Sequence, residues 1–149
     1  MDIALNRPPG TAVAHPSPRH AMPKAALVSG RVVSGIVAAL LTLDSVGKLL
    51  QVQPVIDGTV QLGYPADLVF PLGVTLLLCV ITYVVPATSV LGALLLTGYL
   101  GGAVATHVRV GSPLFSHVLT PVYLAAGVWL GLVLRDPRLR ALLPGRRTA

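Results

Sequence analysis

Glutamate is absent from this chain. All five acidic residues are aspartates (Asp2, Asp44, Asp57, Asp67 and Asp136), and only 11% of the 149 residues are charged. Soluble domains are roughly one quarter charged. A water-soluble fold of this size needs a charged shell, and this sequence has too few ionisable residues to build one. Cysteine is scarce too. The single Cys79 lies in an apolar run, which excludes an intrachain disulfide, a CxxC redox relay and a cysteine-based structural zinc site. Its expected role is that of a small apolar packing residue. Aromatic residues make up 5% of the chain. Tyr64, Tyr83, Tyr99, Tyr123 and Trp129 share no spacing, so they define no aromatic box and are expected to fill the core or anchor the membrane interface.

Hydrophobicity is what remains: 54% of residues are apolar. The length suits one domain, and the composition is that of an integral membrane protein. The net charge of +6 does not indicate nucleic-acid binding. Arg7, Arg19, Lys24 and Arg31 stand before or at the start of the first apolar segment, and Arg135, Arg138, Arg140, Arg146 and Arg147 follow the last. Basic residues confined to the two ends flank membrane segments and form no groove that tracks phosphates.

Residues 1–26, with Pro8, Pro9, Pro16, Pro18 and Pro23 among small and basic residues, read as a disordered cytoplasmic N-terminal tail, within which Met22 is a second candidate start. Residues 27–143 form the membrane domain, with helices expected at about 30–50, 68–85, 88–106 and 118–135, and residues 144–149 form a basic C-terminal tail. The first span is read as uncleaved: its apolar run continues through Leu49 and Leu50, and no small-x-small site follows. A polar loop from Gln51 to Asp67 ends it. No charged side chain occurs from Leu68 through Thr106, about twice the roughly 20 residues one spanning helix needs. Pro86-Ala87-Thr88-Ser89 divides that stretch, since proline cannot continue a helix interior and Thr or Ser can cap the next helix. The expected fold is therefore all-α, an integral membrane four-helix bundle without internal repeats. The basic flanks place both termini in the cytoplasm by the positive-inside rule, and an even number of spans requires the same. The expected location is the cell membrane, crossed several times.

Gly98 and Gly102 in the third span, and Gly127 and Gly131 around Trp129 in the fourth, have the spacing that lets helices approach closely. Close packing within the monomer, rather than a dimer interface, is expected of both pairs.

Five residues stand out chemically. Asp44 and Lys48 lie four apart in the first span, on one face and with the acid first, the favourable order for a helix ion pair. Charge inside hydrocarbon is costly and asks for a reason. His107, Arg109 and His117 flank the loop between the third and fourth spans, on the same membrane side as Lys48. Together they are expected to converge on one polar pocket at the outer leaflet, where His and Arg can hydrogen-bond a carbonyl or quinone oxygen and His can move a proton near neutral pH. The competing reading is structural: an ion pair fixing the first span, with Lys48 snorkelling outward, and rim residues satisfied by water and headgroups. Two histidines without further ligands do not make a metal site.

The run Thr97-Gly98-Tyr99-Leu100-Gly101-Gly102-Ala103-Val104-Ala105-Thr106-His107-Val108-Arg109 resembles the signature of DoxX-like membrane proteins. So do Pro113-Leu114-Phe115-Ser116-His117, Trp129-Leu130-Gly131-Leu132 and Arg135-Asp136-Pro137-Arg138-Leu139-Arg140. Asp44-Ser45-Val46-Gly47-Lys48-Leu49 is similar to the family's Gly-x-Lys-Leu helix end, with Gly47 and Lys48 adjacent here. The resemblance covers about residues 28–144 and implies a four-helix membrane bundle. The wider group includes a subunit of a thiosulfate:quinone oxidoreductase and proteins of membrane redox defence, while most DoxX-like members have no established activity. The chain departs from the family pattern at Thr75-Leu76, where members often carry an acid, and at Ala87, where an Arg often follows the turn proline. It therefore lacks a buried carboxylate from the second span.

Two functions of different classes follow. One is a redox-associated membrane subunit that binds a quinone or similar lipid, with Arg109 and the histidines on the headgroup. The chain has no flavin or haem motif, so its electrons would come from a redox partner protein or another cofactor. The other is a non-catalytic membrane scaffold, or a carrier of small solutes or lipids, in which the same polar residues are structural.

Overall fold

The structure, a computed structural model, describes residues 24–142. The tail expected over 144–149, and residues 1–23 of the N-terminal tail, lie outside the described residues. Four helices are long and apolar enough to cross a membrane, and no strand occurs among the described residues. They are α1 (Lys24–Leu49), α3 (Val69–Val84), α4 (Ser89–Arg109) and α5 (Leu119–Arg135), the second and fourth spans being Ala66–Val84 and Leu114–Arg135 with the turns that lead into α3 and α5. Two short helices join them: α2 (Gln53–Gln61) after α1, and α6 (Pro137–Leu142) after α5. A 3-10 turn over Ala66–Leu68 leads into α3, and a π-helical turn over Leu114–Val118 leads into α5.

Local chemistry sets these boundaries. Lys24 already belongs to α1, so the first helix begins inside the stretch expected to be tail. The loop expected after the first span holds a helix, α2, started by Pro54 in its first turn and braced by Gln53 Nε2 donating to Asp57 Oδ1 (2.8 Å). Between α3 and α4 the turn at Pro86 forms, but Thr88 and Ser89 do not cap α4. Their hydroxyls donate backwards, to the carbonyls of Thr82 (2.8 Å) and Pro86 (3.2 Å), and tie the turn to the end of α3. Gly111, in the left-handed region (φ +69), ends α4, with the Ser112 N–H closing on the His107 carbonyl.

The four spans form an antiparallel ring. Helix α1 packs between α3 and α5, and α4 packs on α3 and α5 from the opposite side without meeting α1. Both described ends and the Pro86 turn lie at one end of the bundle, the tail end; α2 and the 110–118 segment lie at the other, the loop end. Near the tail end the helices touch backbone to backbone. A Cβ on Gly92 would fall 2.2 Å from the Tyr83 nitrogen, and one on Gly131 2.9 Å from the Ser34 nitrogen. Tyr83 is buried where the spans meet. Its Oη lies 2.9 Å from Ser34 Oγ and 3.0 Å from the Val128 carbonyl. Its single proton is shared between these two acceptors. Arg135 Nη2 donates to the Tyr83 carbonyl (3.0 Å), and its guanidinium sits 4.8 Å from the ring centre. Val37, Leu41, Leu76, Val80, Leu96, Val128 and Leu132 complete the core with Cys79. Outward-facing Ile36, Leu43, Leu78, Leu94 and Leu130 remain exposed, a surface that only hydrocarbon can cover.

Candidate functional site

Because the backbones of α1 and α4 stay apart, the loop-end half of the ring borders a half-open cavity of about 970 Å³. Helix α1 contributes the stripe Leu40, Asp44 and Lys48, which four-residue spacing places on one face. Helix α4 contributes two such stripes: Gly98, Gly102 and Thr106, and Tyr99, Ala103 and His107. Helix α5 adds Thr120, Pro121 and Leu124, the preceding turn adds Ser116 and His117, and α2 with its following loop closes the end with Thr59, Gln61 and Tyr64.

Polarity is graded with depth. Leu40 lies nine residues below the end of α1, about 14 Å at 1.5 Å per residue, so the cavity reaches roughly halfway through a hydrocarbon layer of about 30 Å. Its deep end is mainly apolar, with Leu40, Leu41, Leu100 and Leu124 beside Gly98 and Tyr99. Nearer the loop end come Asp44, Lys48, Thr106, both histidines and the serines.

The polar groups divide into paired and unpaired atoms. Lys48 Nζ and Asp44 Oδ1 form an ion pair within α1, with Lys48 the more enclosed partner, 13% exposed against 46%. Lys48 therefore turns to its own helix and does not extend into solvent. Thr106 donates to the Gly102 carbonyl (2.9 Å), which leaves the Tyr64 hydroxyl, 2.9 Å away, to donate to Thr106 Oγ1. His107 Nδ1 meets Ser112 Oγ at 3.1 Å and His117 Nδ1 meets Ser116 Oγ at 2.7 Å. The two rings are tilted, with centroids 5.8 Å apart. Among the described residues, neither Nε2 has a partner, and neither has the Tyr99 hydroxyl.

Of the five residues singled out by sequence, Asp44, Lys48, His107 and His117 thus share one cavity. Arg109 does not line it. Its Nη2 donates to the Leu62 carbonyl (2.8 Å) beside a second, smaller cavity, beyond the Tyr64–Thr106 pair that borders both. Sequence reasoning missed Tyr64, Tyr99 and Thr106. Tyr99 precedes His107 by two four-residue steps, a spacing that places both on one face of α4. Tyr64, brought in by the α2 loop, carries no such signal.

The two glycine pairs part company. Gly131 and Gly127 pack on Ser34 and Val37 of α1, as expected. Gly98 and Gly102 do not: a Cβ at either would meet nothing within 4 Å. Their face of α4 looks across the ring diagonal into the cavity, where no helix lies opposite within reach.

Four apolar spans around a half-membrane cavity define a multi-pass membrane protein. The chain belongs to the DoxX-like family, whose model matches residues 32–131. No curated protein and no solved structure matches it.

Proposed function

We propose that the loop-end cavity binds an amphiphile with a hydrogen-bonding head, a quinone or a similar lipid, and that the chain is the ligand-binding subunit of a membrane redox system. The observation that carries this reading is the graded polarity of the cavity, with two unpaired imidazole Nε2 atoms toward the loop end, leucines at its deep end and the unpaired Tyr99 hydroxyl among them. A ring carbonyl accepts from a hydroxyl or an imidazole N–H, and imidazole exchanges protons near neutral pH. An isoprenoid or acyl tail matches the leucine-lined floor. The basic flanks favour a cell-membrane protein with both termini cytoplasmic, so the ligand head would face the outer leaflet and a redox partner protein would meet it there.

Mass spectrometry of small molecules that copurify in mild detergent tests the reading. A quinone or other non-bulk lipid is expected with the wild type and is lost from a folded His107→Ala, His117→Ala variant. Bulk phospholipid alone in both samples would overturn it in favour of a scaffold or carrier with structural polar residues. That second reading draws on the Asp44–Lys48 pair, whose charges satisfy each other, and on the lack of any buried unpartnered polar side-chain atom among the described residues.

A further inference from the structure

We propose that Arg109 and the turn beneath it form a phosphate-binding site on the rim of the loop end, distinct from the main cavity. The guanidinium is held in place before any ligand arrives. Nη2 donates to the Leu62 carbonyl and lies against Gly63, whose φ of +84 suits glycine and whose missing Cβ would stand 3.0 Å from Nη2. Asp44–Lys48 is the one ion pair among the described residues, so no described carboxylate neutralises Arg109. A guanidinium presents five N–H donors in a planar fork. With one N–H spent on Leu62, the others can meet two phosphate oxygens in the bidentate geometry that Arg favours.

The space and the level both suit such a ligand. Beside the guanidinium lies a cavity of about 330 Å³, bordered by Gly63, Tyr64, Ala105 and Thr106. It opens to the outside and is roomy enough for a phosphate group. Arg109 is the last residue of α4, where a span leaves the hydrocarbon and lipid phosphates lie. Below it on the same face, Ala105 and Gly101 are small and exposed, which leaves room for an acyl chain under the phosphate. The recognised chemistry is a phosphate ester or free phosphate.

The test measures thermal unfolding and native mass spectrometry of the detergent-solubilised wild type with phosphatidylglycerol, with diacylglycerol, or with inorganic phosphate. Phosphatidylglycerol is expected to raise Tm and leave a single retained adduct, whereas diacylglycerol, lacking the phosphate, does neither. Arg109→Gln is expected to lower occupancy about tenfold, the loss of one charge-assisted contact. His107→Ala, His117→Ala is expected to leave it unchanged. If inorganic phosphate stabilises the protein as well as the lipid does, the site stands and its ligand is the free anion. Equal retention of phosphatidylglycerol and diacylglycerol by the wild type would overturn the proposal without any variant. So would an unchanged adduct on folded Arg109→Gln.

Discussion

The two halves of the bundle use the same residue types to opposite ends. In the tail-end half glycine removes the space between helices: Gly92 lies on the Tyr83 backbone and Gly131 on that of Ser34. In the loop-end half Gly73 still packs on α1 at Ser45 and Lys48, but Gly98 and Gly102 of α4 face nothing within 4 Å and leave space for something else. Tyrosine divides the same way. The Tyr83 hydroxyl is shared between Ser34 and the Val128 carbonyl, while that of Tyr99 has no partner among the described residues. Arginine follows suit, with Arg135 seated on Tyr83 and Arg109 seated on a loop carbonyl beside an open cavity. One half is built to hold and the other to receive, and composition alone does not separate them.

Substitutions can break that division. The largest effect is expected at Gly92, where a Cβ would fall 2.2 Å from the Tyr83 nitrogen and 2.3 Å from its Cα. Backbone cannot yield as a flexible side chain can, so Gly92→Ala is expected to cost about 3 kcal/mol, the upper end for overpacking, read as a lowered Tm in detergent. An unchanged Tm would mean that α3 and α4 do not cross so closely. Tyr83→Phe comes next. It removes the buried hydroxyl that Ser34 and the Val128 carbonyl share, at a cost of about 1 kcal/mol, measurable by the same melts. The smallest effect on stability is expected for Gly102→Ala: the added methyl enters open space and alanine favours the helix, so stability stays level or rises by under about 1 kcal/mol. Its effect lies elsewhere, in weaker retention of whatever copurifies in the cavity. A Gly102→Ala variant that unfolds as readily as Gly92→Ala would erase the distinction between the halves.

The spans were legible in the sequence because hydrocarbon leaves a chain few choices. A long uncharged stretch broken at Pro86 must be two helices, and α3 and α4 are those two. The small-residue spacing was ambiguous, since Gly98/Gly102 and Gly127/Gly131 read identically along a helix and differ only in which helix stands opposite. That depends on the ring order, in which α1 meets α3 and α5 but never α4, and no local pattern encodes it. Four of the five flagged residues share a cavity because a charge or a histidine near a span end has few places to go. Arg109 left that group for a reason that acts at long range: the turn at Leu62 and Gly63, far away in sequence, offers its guanidinium a carbonyl. Tyr64 reaches Thr106 by the same route.

The Asp44–Lys48 pair lies wholly within α1. Both charges meet their partner as soon as that one helix has formed, one turn apart, with no help from α3, α4 or α5. During synthesis the first span must enter the bilayer while the helices that will surround it are still unmade. A lysine whose counter-charge came from a later span would have to wait in hydrocarbon unpaired, at a cost of several kcal/mol. Here Lys48 reaches the translocon with its counter-charge already on the same helix.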